Sequence, residues 1–187
     1  NLLRKHHGGY DYYVVMPHFR SKELAHASFT DEVIEEIHKI PKEKLIVLDN
    51  DKLQISGCFA SISQDFEDDI FSALEKAKEK LLKYRKVILV YPQKSIYPYP
   101  LRILRGFTKF CGYNNIDHEV IEKIYEGMQF LEKDVFITIE EMDLVNLLKQ
   151  IQSNGLRLSK DIGIISYNDT PLKELLGITV ISTNFKK

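Results

Sequence analysis

A chain of 187 residues with a hydrophobic fraction of 44% is long enough to bury the core of one large domain or of two small lobes. Its 26 basic and 27 acidic residues nearly cancel, which argues against a nucleic-acid-binding surface because such a surface needs a net basic face. No apolar run approaches the roughly 20 residues of a membrane helix, and the polar residues 1–10 do not follow a signal-peptide pattern.

Strand and helix signals alternate along the whole chain. Helical spacing of apolar residues predicts helices at residues 28–40, 66–82, 101–111 and 143–153. Apolar and β-branched runs predict strands at residues 12–16, 45–48, 59–63, 87–91, 134–139, 161–166 and 178–182, and residues 118–125 are compatible with a further strand. This alternation predicts an α/β chain with parallel sheets flanked by helices.

Residues 154–169 form the segment around which the rest of the chain is organised. Gly155 suits the left-handed residue that closes a helix. Ile162, Ile164 and Ile165 form the apolar run of a strand that is covered on both faces. Because ligands of open parallel sheets bind beyond the carboxyl ends of the strands, we expect residues 167–169 to lie at a binding site.

Polar residues recur at the carboxyl ends of the predicted strands, and they favour a ligand cleft. Carboxylates and amides hydrogen-bond the hydroxyl groups of a sugar, and aromatic rings cover its apolar face. The polar candidates are His18, Asp49, Glu140, Asn168 and Asp169. The aromatic candidates are Tyr97, Tyr99, Phe107 and Tyr167.

Motifs of catalysis and of metal or phosphate binding are absent from the sequence. There is no glycine-rich phosphate loop, no GxSxG, no HExxH and no CxxC. Glu140 and Glu141 are adjacent and point in different directions, so they do not form an acid/base pair. Glu141 equally suits the first turn of the following helix. We therefore expect no enzyme activity, no metal and no cofactor.

Both cysteines lie in apolar settings, as buried thiols do. Cys58 and Cys111 are too few for a disulfide framework. They predict a reduced protein of the cytoplasm.

The order and spacing of these segments resemble the effector-binding domain of the LacI/GalR family of bacterial transcriptional regulators. The most specific segment is residues 153–170, SNGLRLSKDIGIISYNDT, which resembles the family pattern GL-vP-DI-ViGyDD. Residues 177–181 resemble P-LTTi, and residues 102–107 resemble R--GF. Weaker matches are residues 10–15 to vDGiI, 45–49 to PvV-iD, 63–73 to V--DN--G---A and 135–141 to ai-a-nD.

The resemblance implies a two-lobed, type I periplasmic-binding-protein-like fold, incomplete at both ends. One lobe would span residues 1–84, the second 85–177, and residues 178–187 would cross back toward the first. Side chains at the matching positions touch a small effector in the family. When the family's effector-binding positions are carried over one by one, they correspond to Asp49, Gln64, Arg102, Glu140 and Asn168. The strand-end and aromatic patterns add Asp169 and Tyr97. Arg102 stands one residue farther from Gly106 than the family arginine does. Asn168 replaces an aspartate, which keeps an acceptor and adds a donor.

The resemblance also implies a function: sensing of a small effector, with a sugar expected, in a cytoplasmic, homodimeric regulator. Operator DNA would be bound by a separate helix-turn-helix domain, or by a GntR-type winged helix as in some relatives, and no membrane would be involved. The alternative with the same fold is a periplasmic solute-binding protein of a transporter. A sugar-modifying enzyme would require a catalytic group that the sequence does not offer.

Overall fold

The computed structural model describes residues 9–16, 31–48, 60–93 and 99–182. The chain divides into two compact units, residues 1–64 and residues 65–187. Each unit contains its own parallel β-sheet. No helix of the described ranges is long and apolar enough to cross a membrane.

The first unit contains a three-stranded sheet. Its elements are β1 (Tyr13–Val15), α1 (Asp31–His38), a 3₁₀ turn (Lys42–Lys44), β2 (Leu45–Leu48) and β3 (Ala60–Ile62). The strands pair in the order β1-β2-β3, all parallel. Tyr13 and Val15 face the core with Ile37 of α1, whereas Val14 between them is exposed, as the period of two in a strand requires.

The second unit contains a five-stranded sheet in the order β5-β4-β6-β7-β8, again all parallel. Its strands are β4 (Lys86–Val90), β5 (His118–Ile121), β6 (Asp134–Thr138), β7 (Ile162–Tyr167) and β8 (Thr179–Ile181). Its helices are α2 (Phe66–Leu81), α3 (Leu101–Tyr113), α4 (Glu141–Ser153) and α5 (Pro171–Leu175).

Helices cover both faces of this sheet, which explains its continuous apolar strands. In β4, Val87 and Leu89 pack into one hydrophobic cluster, and Ile88 and Val90 pack into another. Helices α2 and α3 contribute to the first cluster, and α4 contributes to the second. Burial on both faces removes the apolar/polar alternation of a half-exposed strand.

The predicted elements of the described ranges are present, and their bounds differ by at most four residues. Gly155 has a φ of +67° and follows α4, so its predicted role as the left-handed helix terminator is confirmed. Strand β5 ends at Ile121 rather than at residue 125. The five-residue helix α5 was not predicted.

The predicted lobe bounds at residues 84/85 and 177/178 stay a prediction. Within the second unit, α2 packs against α3, and β8 pairs with β7. His18, Asp49, Cys58 and Tyr97 lie outside the described residues.

Candidate functional site

The strand register brings Glu140 and Asn168 to the same edge of the five-stranded sheet. Thr138 of β6 pairs with Ser166 of β7, and each candidate stands two residues farther along its strand. The buried Thr138 hydroxyl donates to Ser166 Oγ at 3.1 Å, directly below this edge. Two predicted site residues therefore come from neighbouring strands and lie at their carboxyl ends.

Glu140 is half-buried at the position that precedes α4. Its side chain makes no capping hydrogen bond to the helix. Burial raises the pKa of Tyr99, and the negative charges of Glu140 and Asp143 raise it further. Tyr99 and Glu140 thus place an aromatic ring and a carboxylate at one edge.

Tyr91 holds the segment that carries Tyr99. The Tyr91 hydroxyl donates to the Tyr99 carbonyl oxygen at 2.7 Å, and burial raises the pKa of Tyr91. Asp143, in the first turn of α4, is buried, and its Oδ1 accepts from the Ile124 backbone N–H at 2.8 Å. Burial raises the pKa of Asp143. These contacts hold Tyr99 against Tyr91 and Ile124 against Asp143.

Arg102 lies in the first turn of α3 and pairs with Asp65. Its Nη2 donates to Asp65 Oδ1 at 3.0 Å, and the same carboxyl oxygen accepts from the Asp68 backbone N–H at 3.2 Å. Asp65 is thereby the N-cap of α2. The structure thus gives Arg102 an ion-pair partner that the sequence did not identify.

Asn168 and Asp169 are both exposed, directly after β7. Asn168 has a φ of +62°, a left-handed conformation that Asn tolerates better than most residues. Its backbone N–H donates to the Ile181 carbonyl oxygen at 2.9 Å. The backbone is therefore held, while the amide side chain points away from the core.

One aromatic candidate, Phe107, is wrong, and the position of another, Tyr167, differs from the prediction by one residue. Phe107 is fully buried among the helices of the first hydrophobic cluster, so it offers no ring face to a ligand. Tyr167 is the last residue of β7 rather than the first residue beyond it, and it packs against the same cluster. Its hydroxyl is buried without a hydrogen-bond partner in the described structure, and its pKa is raised by burial and by the charge of Asp69.

The remaining site candidates stay predictions. Gln64 is exposed and belongs to the first unit, whereas Arg102, Glu140, Asn168 and Asp169 belong to the second. Asp49 and Tyr97 fall outside the described ranges.

Sequence reasoning missed two charged residues, Asp65 and Lys173. Asp65 had a readable signal, because an aspartate directly before an amphipathic helix is a common N-cap. Lys173 had none, because a lysine is ordinarily expected in solvent, yet its side chain is 2% exposed.

This edge offers hydrogen-bond donors and acceptors and one aromatic ring, which suits a polar small molecule. No group of three or more metal-binding side chains occurs among the residues that the structure describes.

The all-parallel α/β sheets, with polar groups at the carboxyl edge of the larger one, define an open-sheet ligand-binding fold. Solved structures show the same fold. A transcription regulator from Lactobacillus plantarum aligns with a TM-score of 0.59 at 18% identity, over 98% of this chain and 70% of that one. The Escherichia coli transcriptional repressor ascG aligns with a TM-score of 0.60 at 14% identity, over 88% and 60%. A LacI-family regulator from Arthrobacter sp. FB24, in complex with lactose, aligns with a TM-score of 0.59 at 14% identity, over 97% and 66%.

In sequence, the chain is 30% identical over 176 residues to the HTH-type transcriptional regulator GalR of Streptococcus thermophilus. That alignment covers 80% of this chain, and the chain spans about half of the relative's length, 49%. No family model matches. These findings confirm the resemblance: the chain is similar in sequence to a GalR regulator, and it has the periplasmic-binding-protein/LacI-type fold.

Proposed function

We propose that this chain is the effector-sensing part of a DNA-binding transcriptional regulator. The observation that carries the proposal is the polar edge of the five-stranded sheet, where Glu140 and Asn168 stand on neighbouring strands of a LacI-type fold. The relatives named above are regulators rather than transport proteins or enzymes. The function is therefore non-catalytic: binding of a small molecule changes how a cytoplasmic regulator engages DNA.

The proposed effector is a sugar. The Glu140 carboxylate accepts hydrogen bonds, the Asn168 amide both donates and accepts, and Tyr99 supplies a ring, which together match a polyhydroxylated ligand. Two of the solved relatives contain sugars, lactose in one and D-xylulofuranose in another. Arg102, whose guanidinium donates to Asp65, would also donate to the effector from the first turn of α3.

The proposed regulator is a homodimer, and α5 supports this. Leu172, Leu175 and Leu176 are 52%, 82% and 42% exposed, and Met142 at the start of α4 is 65% exposed. A two-fold dimer that uses α5 would bury these exposed apolar side chains on both subunits. DNA would be contacted by a separate helix-turn-helix or GntR-type winged-helix domain. An effector that binds one conformation more tightly would shift the population that presents these DNA-binding domains.

The test is calorimetric titration of the full-length regulator with D-galactose, lactose, maltose, D-xylulose and adenine, followed by operator-binding measurements with each ligand that binds. Binding of at least one sugar together with a change in DNA affinity supports the proposal. Sugar binding by a protein without any affinity for DNA would favour a solute-binding protein instead. Failure of every compound to bind, with DNA affinity unchanged, would refute the sensing function.

Asn168 allows a clean test of the site. Asn168→Gly removes the amide and tolerates the φ of +62°, and we expect about tenfold weaker binding of the sugar from the loss of its hydrogen bonds. Asn115→Gly is the matched control, because Asn115 is also exposed and has a φ of +52° outside the site. Asn168→Asp keeps an acceptor and removes the donor, so we expect it to alter selectivity among sugars more than overall affinity. Equal affinities in all three variants would exclude Asn168 from the site.

A further inference from the structure

Lys173 reaches from α5 toward the end of β7 and is almost completely buried. Its Nζ donates to the Tyr167 carbonyl oxygen at 2.7 Å and to the Asn168 carbonyl oxygen at 3.1 Å. The third partner is Glu141 Oε2 at 2.9 Å, on the first residue of α4. A lysine ammonium has three donors, so each donor has one partner in this arrangement.

Two of these partners are consecutive carbonyl groups at the point where β7 ends. Asn168 lies in the left-handed region, which costs free energy for a residue other than glycine. Its carbonyl oxygen accepts from Lys173 and its N–H donates to Ile181. The Asn168 backbone is therefore fixed from both sides, and this sets the direction of its side chain.

The third partner, Glu141, connects Lys173 to the end of a second strand, β6. Glu141 directly follows Glu140, which ends the segment after β6. Because one buried ammonium contacts both Glu141 and the Asn168 carbonyl, it ties the segment after β6 to the segment after β7. The ion pair engages Oε2 of Glu141, whereas the side chain of Glu140 makes no capping hydrogen bond to α4.

We infer that Lys173 is a positioning residue of the effector site, which holds Asn168 and Glu140 at a fixed separation by clamping the Tyr167 and Asn168 carbonyls to Glu141. This inference rests on the proposed function. Lys173 contacts no ligand itself, since its three donors are engaged. A site whose polar groups are set before binding loses less entropy when the ligand arrives.

The test compares Lys173→Met with Lys149→Met in the full chain. Methionine retains most of the lysine volume and removes the three donors, and Lys149 is an exposed lysine on α4. The readout is amide hydrogen exchange by NMR. We expect the Asn168 amide to exchange about tenfold faster in Lys173→Met, with the Phe136 amide of the central strand β6 changed far less. Lys149→Met should leave both rates unchanged.

Two further variants keep the test decisive. Glu141→Gln removes the negative charge but keeps an amide oxygen that can accept from Lys173, so it should fold even if Lys173→Met does not, and it should accelerate Asn168 exchange in the same direction by a smaller factor. Lys173→Arg retains donors to a carboxylate and should restore part of the protection. An unchanged Asn168 amide, or one equal acceleration of the Asn168 and Phe136 amides, would overturn the positioning role.

Titration with lactose and D-galactose separates this inference from the proposed function. A sugar that binds the unaltered chain should bind Lys173→Met about tenfold more weakly. If neither sugar binds the unaltered chain, a sugar-sensing function fails for these two ligands, whereas the exchange rates still decide whether Lys173 holds Asn168. Unchanged sugar affinity in Lys173→Met, with faster Asn168 exchange, would refute the role of the clamp in binding.

Discussion

Gly106 of α3 lies directly against the backbone carbonyl of Glu67 in α2. A Cβ at Gly106 would overlap the Glu67 carbonyl oxygen and would lie 2.5 Å from the Ile70 Cγ2 atom. The missing side chain therefore lets the two helices approach each other at this crossing. The glycine of the R--GF segment thus has a packing role between two helices that cover one face of the sheet.

We predict that Gly106→Ala destabilises the second unit. The methyl group must displace helix backbone rather than a flexible side chain, so we expect a cost of about 1–3 kcal/mol in the free energy of unfolding. Urea denaturation followed by circular dichroism measures it. The control is Gly112→Ala in the same helix, where the new methyl group meets nothing within 4 Å. That variant should gain about 0.4–1 kcal/mol from reduced freedom of the unfolded chain. Equal effects at the two glycines would contradict the close approach.

We also predict that Asp65 stabilises α2 mainly as an N-cap and only slightly as an ion-pair partner. Asp65 and Arg102 are 49% and 36% exposed, so the solvent-screened pair contributes less than about 1 kcal/mol. Asp65→Asn keeps the capping acceptor and should have little effect, whereas Asp65→Ala should cost about 1 kcal/mol. Thermal unfolding of both variants decides the matter. If asparagine were as harmful as alanine, charge rather than capping would be the dominant contribution.

The central strands of the larger sheet could be predicted from the sequence because a strand that is buried on both faces consists of consecutive apolar residues. Val87–Val90 and Ile162–Ile165 are apolar almost throughout, and only a strand covered on both faces tolerates such a run. The location of Glu140 and Asn168 at one edge of the sheet could then be predicted as well, because the carboxyl ends of parallel strands meet at the same edge.

The errors have a different physical origin. Whether Tyr167 ends the strand or follows it depends on its pairing with Ile181 in β8, which lies 14 residues farther along the chain. The role of Lys173 depends on two carbonyl groups and a carboxylate that only the folded chain brings together. A five-residue helix such as α5 leaves almost no periodicity to detect.

Cys111 should be unreactive in the native protein. It is completely buried in the first hydrophobic cluster, and burial raises the pKa of its thiol to about 12. Because the thiolate is the reactive form, we expect negligible labelling by a disulfide reagent at neutral pH in a Cys58→Ser background, and one labelled thiol per chain after denaturation. Absorbance of the released thiolate reports the reaction. Rapid labelling without denaturant would show that the cluster opens readily.

The turn that leads into β7 should make stability depend on acid pH. Asp161 accepts hydrogen bonds from the Arg157 side chain at 2.7 and 2.8 Å and from its backbone N–H at 2.8 Å. These bonds lower the pKa of Asp161 from 3.8 to about 2. The folded-state pKa lies below the unfolded-state value, so this contribution is complete above about pH 4 and is lost as the pH falls toward about 2.

We therefore predict that Asp161→Asn loses less stability than the unaltered chain when the pH is lowered from about 5 to about 2. Arg157→Gln should show part of this effect, because it removes the side-chain hydrogen bonds that lower the Asp161 pKa but keeps the backbone N–H bond. Urea midpoints measured across this range for the three proteins supply the comparison. The other carboxyl groups titrate in all three, so the difference between the curves isolates the Arg157–Asp161 pair. Parallel curves for the three proteins would show that the pair does not influence folding.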